Sequence, residues 1–155
     1  RGIDGGEEQL EAIVSLIRRE RPTHLLYPYE VDRHPDHAAC AHLVTEALFN
    51  AGIRKYLPEL EAYRPESVYQ YMINAHVEPD VCVDISDTIE VKTRALQCYA
   101  SQFTPVDGVK TPLTDAYVER VIARERHFGS LIGVAYAEGL KRVRPYVVKQ
   151  AGELA

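Results

Sequence analysis

A three-layer α/β sandwich of Rossmann-like type is predicted by two observations. Helical and extended patterns alternate along the chain, and the densest group of reactive side chains falls where a short apolar strand runs into a helix. In such sheets the crevice beyond the carboxyl end of a strand is where ligands bind. The group in question is Asp32-Arg33-His34-Pro35-Asp36-His37. At 155 residues the chain reads as one domain, residues 1–155, with no repeat, low-complexity tract or linker. Apolar residues make up 46% and charged residues 26%, the balance of a soluble globular protein. A net charge of -5 argues against nucleic acid or an anionic membrane as partner. No apolar run approaches membrane-spanning length and no signal peptide is visible. Cys40, Cys82 and Cys98 are odd in number and lack a Cys-x-x-Cys pair, which points to a reduced, cytoplasmic setting and to small buried thiols.

Residues 7–20 form the first predicted helix, with Leu10, Ile13, Val14 and Ile17 on one face. Glu7 and Glu8 begin it, Arg18, Arg19 and Arg21 end it and Pro22 stops it, as the helix dipole and the missing proline N–H require. A strand follows at residues 25–27. Pro35, favoured at the first helical position, opens the next helix and places His34 at its cap. Residues 38–50 continue it, with Cys40, Leu43, Val44, Ala47 and Leu48 as the buried stripe and Gly52 as the C-terminal cap. Residues 53–65, carrying Arg54, Lys55, Tyr56, Pro58 and Arg64, are a connection long enough to be functional or mobile.

Residues 67–74 alternate and are rich in Tyr and Val, and residues 80–85 are apolar and β-branched; both read as strands, separated by Pro79. Ser86-Asp87 resembles the cap of a helix reaching about residue 102, with Ile89, Leu96 and Tyr99 along one side. Residues 103–112, with two prolines and a glycine, read as a shaped loop or a lid. Thr114-Asp115 caps a last helix over residues 116–128, where Tyr117, Val121 and Phe128 are in register, and extended runs at 133–137 and 145–148 finish the chain.

His34 and His37 are three apart, so their imidazoles share a helix face and can enter one cavity. The positive end of the helix dipole disfavours imidazolium there, which keeps a histidine able to bind metal, and it stabilises Asp36 as an anion that can orient a histidine. Two kinds of centre place His-x-x-His at a helix start. One holds nucleotide phosphates with His-x-Gly-His. Here Pro35 and Asp36 intervene, the carboxylate repels phosphate and no glycine-rich loop appears elsewhere, so that reading is the weaker. The other is a hydrolytic zinc site, which needs three protein ligands, a general base and an imidazole to assist the tetrahedral intermediate. The stretch offers one ligand, one assisting histidine and one orienting carboxylate: a partial site. His24, His42, His76 and His127 read as packing or surface residues. Cys40 lies one turn past His37, but its place in the apolar stripe favours a buried thiol over a metal ligand.

His34-Pro35-Asp36-His37 resembles the second signature of the LmbE-like (PIG-L) zinc-dependent deacetylases, which remove acetyl groups from N-acetylglucosamine conjugates. The resemblance extends through residues 29–40, 51–56, 71–74, 101–103, 107–114 and 136–139, runs that look like the bacillithiol-biosynthesis branch, whose members deacetylate N-acetylglucosaminyl malate. It implies Zn2+ as cofactor, His37 as a zinc ligand, and His34 as the imidazole that helps the tetrahedral intermediate form and collapse. It also implies that Asp36 orients His34, that Tyr117 is catalytic and that Arg64 binds substrate, the two contacting the acyl oxygen or the substrate. Tyr117 has a core reading as well, because it shares a face with Val121. Arg54-Lys55 is either a solvated turn or a pair of cations suited to a dicarboxylate such as glucosaminyl malate.

One departure from the family is large. Its first signature, Ala-His-x-Asp-Asp, supplies two further zinc ligands and the general base, and residues 1–155 contain no match. The chain opens Arg1-Gly2-Ile3-Asp4 and its one methionine is Met72. The expectation is the C-terminal part of a deacetylase, lacking the N-terminal strands of the fold, inactive by itself and partnered by the N-terminal part of the same protein. An exposed apolar sheet edge then favours self-association, and the family's oligomers, often hexamers, make a homo-oligomer the expected state. The expected substrate is a small-molecule N-acetylglucosaminide, with no nucleic acid and no membrane involved. A reading from another class is a non-catalytic interaction module left after loss of the metal-binding half.

Overall fold

The computed structural model describes residues 2–103, 105, 108, 111–145 and 147–150. Its elements are α1 (Glu7–Glu20), β1 (His24–Pro28), α2 (Pro35–Ala51), β2 (Ser67–Tyr71), β3 (Val81–Asp84), α3 (Ile89–Gln97), α4 (Ala100–Phe103), α5 (Tyr117–Ile132) and β4 (Ala137–Arg142). This is the mixed α/β fold that the alternation predicts. The chain forms two compact units, Arg1–Ala75 with Lys141–Ala155, and His76–Leu140. Among the described residues no helix is long and apolar enough to cross a membrane.

In the first unit β1 and β2 pair in parallel, from His24 opposite Ser67 to Pro28 opposite Tyr71. A parallel pair needs a crossover, and α2 with the connection after it supplies one. The predicted apolar face of α1 packs Leu10, Val14 and Ile17 against Ala41, Leu43, Val44, Ala47, Leu48 and Ala51 of α2, with Tyr27 and Val68 closing the core from the strands. The fully buried Ala41, Ala47 and Ala51 leave no room for larger side chains.

Arg18 is the residue that surface reasoning misplaces. It sits in the last turn of α1, where a cation complements the dipole, yet only 4% of it is exposed. Its guanidinium donates to six main-chain carbonyls at the end of α2 and in the connection beyond: Ala51 from Nε (3.0 Å), Tyr56, Leu57 and Leu60 from Nη1 (2.6, 2.8 and 3.0 Å), and Asn50 and Ile53 from Nη2 (3.0 and 2.7 Å). The last carbonyls of a helix have no partner within the helix, and Arg18 supplies one from outside. Gly52 differs from expectation for a related reason. Its backbone is right-handed (φ -84°, ψ -4°), so no left-handed cap requires glycine. A Cβ there would lie 2.7 Å from Cζ of Arg64, so a larger residue would ask this flexible side-chain end to shift.

In the second unit β3 and β4 pair antiparallel, with Val81 opposite Leu140 and Asp84 opposite Ala137. Ser86 bonds the Asp84 carboxylate from its N–H (2.9 Å) and hydroxyl (2.6 Å), so the residue at the N-terminus of α3 is Thr88, without a side-chain cap. The helix expected to reach residue 102 stops at Gln97, because Tyr99 N–H bonds Leu96 O and tightens the chain before α4 begins. Thr114 likewise closes a turn with Thr111 (2.7 Å), and Ala116, left-handed at φ 55°, precedes α5. That helix runs past residue 128 to Ile132 and ends at Gly133, whose φ of 76° suits glycine. The strand expected at 133–137 therefore begins at Ala137 instead. Residues 145, 147 and 148 form no strand, and Tyr146 lies outside the described residues, as do Thr104, Val106, Asp107, Val109 and Lys110 of the expected lid.

Gly129 of α5 abuts main chain: a Cβ would meet Tyr136 N and Val134 O, each at 2.8 Å. Backbone cannot step aside as a flexible side chain can, so Gly129→Ala is expected to lose about 1–3 kcal/mol in urea unfolding despite alanine's better helix propensity. Glu125, fully buried on the same helix, binds Lys92 (2.9 Å) and Arg124 (2.9 Å) through Oε1, and Lys92 reaches on to Glu138 (3.0 Å).

Burial pushes the Cys40 thiol up; at Cys82 burial does so first and the Glu125 carboxylate adds to it. Cys98 is exposed. A raised thiol carries less thiolate at a given pH, so iodoacetamide at about pH 8 is expected to alkylate Cys98 well ahead of Cys40 and Cys82, which peptide mass mapping over time would check.

Candidate functional site

The loop from β1 to α2 carries the reactive stretch at the carboxyl ends of two parallel strands. Asp32 organises it. Its Oδ1 accepts the His34 N–H (2.8 Å) and the Asn74 side-chain amide (2.9 Å) and lies 3.1 Å from His37 Nδ1, while its Oδ2 accepts the Asn74 N–H (3.0 Å). Asn74 stands just past β2, so this carboxylate ties the loop after β1 to the chain leaving β2. The Asp32 side chain is 2% exposed. Burial by itself would raise its pKa, but the bonds from His34, Asn74 and His37 outweigh it and hold the carboxyl below its ordinary value.

Pro35 starts α2 and His34 occupies the N-cap, as the sequence predicts. The two imidazoles share one face of the first turn, stacked with centroids 4.6 Å apart and planes 23° from parallel. His34 Nδ1 accepts the main-chain N–H of Asp36 at 3.2 Å, satisfying one of the unpaired donors of the helix start. Asp36 thus holds the His34 ring through its backbone.

Arg64, expected at the site, lies elsewhere in the same unit. The Arg64 guanidinium packs on Gly52, at the far end of α2 from His34. Seventeen residues at about 1.5 Å each separate the two helix ends by roughly 25 Å. Within one chain Arg64 does not meet the histidines. Tyr117 belongs to the second unit, where its ring stacks on Phe103 (5.2 Å, 9°), and it is partly exposed while Val121 is buried.

A catalytic zinc needs three protein ligands and an open position. Among the described residues no three His, Cys, Asp or Glu side chains are grouped to hold a metal ion. The turn offers one imidazole with a carboxylate behind its other nitrogen, the arrangement found behind metal-bound histidines, and so fits part of a zinc site and not the whole. Sequence reasoning gave Asp32 no role of its own, although Asp two residues before His34 is the spacing of a side-chain-to-backbone turn. Asn74 carried no local signal; it lies 42 residues away and arrives through strand pairing.

No family model matches the chain. Over 156 aligned residues it is 35% identical to the diacetylchitobiose deacetylase of Thermococcus kodakarensis, covering 91% of this chain and 55% of that protein. The chain therefore spans about half the length of this curated relative. Among solved structures it is similar to a conserved protein of Thermus thermophilus, at 34% identity and TM-score 0.79, over 95% of this chain and 63% of that one. At lower identity the fold alone is shared. One such structure is the N,N'-diacetylchitobiose deacetylase of Pyrococcus horikoshii (23%, TM-score 0.74, 100% of this chain and 60% of that one). Another is the 4-carboxy-2-hydroxymuconate hydratase GalB of Pseudomonas putida (24%, TM-score 0.71, 94% and 62%). The identity to part of a protein named a diacetylchitobiose deacetylase agrees with the resemblance that the His-Pro-Asp-His stretch carries.

Proposed function

We propose that residues 1–155 form the part of a zinc-dependent N-deacetylase that carries His34, Asp36 and His37, and that the enzyme hydrolyses the acetamide of an N-acetylglucosamine conjugate in the cytoplasm. The observation that carries this reading is the stacked histidine pair on one helix turn, backed by a buried carboxylate. Identity to a protein named for removing acetyl groups from diacetylchitobiose supports it. When bound, zinc supplies a water of lowered pKa and a Lewis acid. His37 contributes one ligand, and the other ligands and the general base come from a further segment of the same protein, so residues 1–155 alone are inactive. His34, beside the ligand, holds a proton for the acyl oxygen or the departing amine. A substrate-binding role for Arg64, at the far end of α2, requires a neighbouring copy in a homo-oligomer.

For the substrate, the resemblance to the bacillithiol branch favours N-acetylglucosaminyl malate, while the relative's name favours diacetylchitobiose. Acetate release from both, by a protein joining residues 1–155 to a segment that supplies the other ligands, separates them. The malate conjugate is expected to show kcat/KM higher by about tenfold or more, the worth of one charge-assisted hydrogen bond to the dicarboxylate. Turnover of diacetylchitobiose alone overturns the branch; release from neither substrate overturns the deacetylase and favours an interaction module.

A further inference from the structure

We propose that the first turn of α2 holds its two histidines in opposite tautomers: His37 with its proton on Nδ1 and a lone pair on Nε2, His34 with a lone pair on Nδ1 and its proton on Nε2. Asp32 is the positioning residue for His37, and Asn74 locks Asp32.

His37 comes first. Its Nδ1 lies 3.1 Å from Asp32 Oδ1. Three other donors, the His34 N–H and both Asn74 groups, keep that carboxylate an acceptor. Two lone pairs facing each other at this distance repel, so the proton between them belongs to Nδ1. The rival arrangement, in which His37 Nδ1 accepts from Asn74, is the poorer one: Asn74 Nδ2 is 3.5 Å from that nitrogen and already donates to Asp32 at 2.9 Å. Flipping the Asn74 amide would turn its oxygen towards a carboxylate. The Asp32 side chain is almost wholly buried, so water does not compete for these bonds.

At His34 the logic reverses. Nδ1 faces the main-chain N–H of Asp36 at 3.2 Å, and an amide N–H only donates. Nδ1 therefore carries the lone pair and the proton goes to Nε2. The two rings are stacked in one turn, so a nitrogen lone pair and an N–H donor are presented side by side. That pairing is what a metal ligand and a proton-holding neighbour require. Its catalytic meaning rests on the deacetylase reading above; the tautomers do not.

The test is a two-bond ¹H–¹⁵N correlation spectrum of the ¹⁵N-histidine-labelled chain, followed upward in pH until the imidazole patterns no longer change. The proton-free nitrogen, recognised by its downfield shift, is expected to be Nε2 in His37 and Nδ1 in His34. Asp32→Asn is expected to mix the His37 tautomers and leave His34 alone. A His37 proton on Nε2 in the unsubstituted chain overturns the proposal whether or not the variant folds, and so does a His37 pattern indifferent to Asp32→Asn. With the remaining ligands present, Asp32→Asn should also weaken zinc binding about 10–100-fold. Unweakened zinc binding overturns the positioning role, whereas intact tautomers without acetate release count against the deacetylase reading alone.

Discussion

Arg18→Leu is expected to unfold at a temperature lower by roughly 6–20 °C. The leucine keeps the apolar stem but leaves the carbonyls of Asn50, Ala51, Ile53, Tyr56, Leu57 and Leu60 without the donor that all six share. Hydrogen bonds to a charged donor contribute about 1.5–3 kcal/mol each, and outer carbonyls recover part of that from water. Summed over six such bonds with that recovery counted, a net loss of about 3–5 kcal/mol is expected, and at this chain length each kcal/mol moves the midpoint by about 2–4 °C. Arg18→Lys should recover only part, because one ammonium with three donors cannot span the set that a planar fork reaches. Thermal and urea unfolding of the three proteins would check this; equal midpoints would mean that Arg18 does not tie α1 to the end of α2.

In the protein that joins residues 1–155 to the remaining ligands, His34→Gln should lower kcat for acetate release about 10²–10⁴-fold, the range for loss of a positioned acid or base. Glutamine keeps an amide donor of similar reach but cannot pass on a proton. Stability should fall by only about 1 kcal/mol, because what is lost from the fold is one N-cap acceptor on an exposed residue. Zinc content should stay the same. His37→Ala should instead lose zinc together with activity, and that difference in metal content separates the two roles.

Much of this arrangement is legible in the chain because local rules act alone there. Pro35 predicts where α2 begins, and the three-residue spacing then stacks His34 on His37 with no long-range information. Of the stripe Cys40, Leu43, Val44, Ala47 and Leu48, the last four are buried as the period requires and Cys40 is half-buried. Where expectation fails, a distant group has intervened. Gly52 reads as a left-handed cap, but its backbone is right-handed and the Arg64 side chain packs on it. Arg18 reads as a surface cation until the end of α2 is set above it. Thr114-Asp115 and Ser86-Asp87 have cap chemistry, yet Thr111 and Asp84 take the hydroxyls of Thr114 and Ser86 first. Glu125 could have been found: it falls between Val121 and Phe128 on the apolar face of α5, where a carboxylate needs buried cations, and Lys92 and Arg124 provide them. Asn74 could not, since only the pairing of β1 with β2 brings it to Asp32.

Metal-restored acetate release is the most direct measurement of the proposed chemistry. After removal of metal with a chelator, the protein joining residues 1–155 to the further segment should be silent and should regain activity with zinc. Its His37→Ala variant should not regain it, and residues 1–155 alone should release no acetate in either state. Acetate release that survives chelation, that returns in His37→Ala, or that comes from residues 1–155 alone would contradict the assignment of His37 as one ligand of a shared zinc centre.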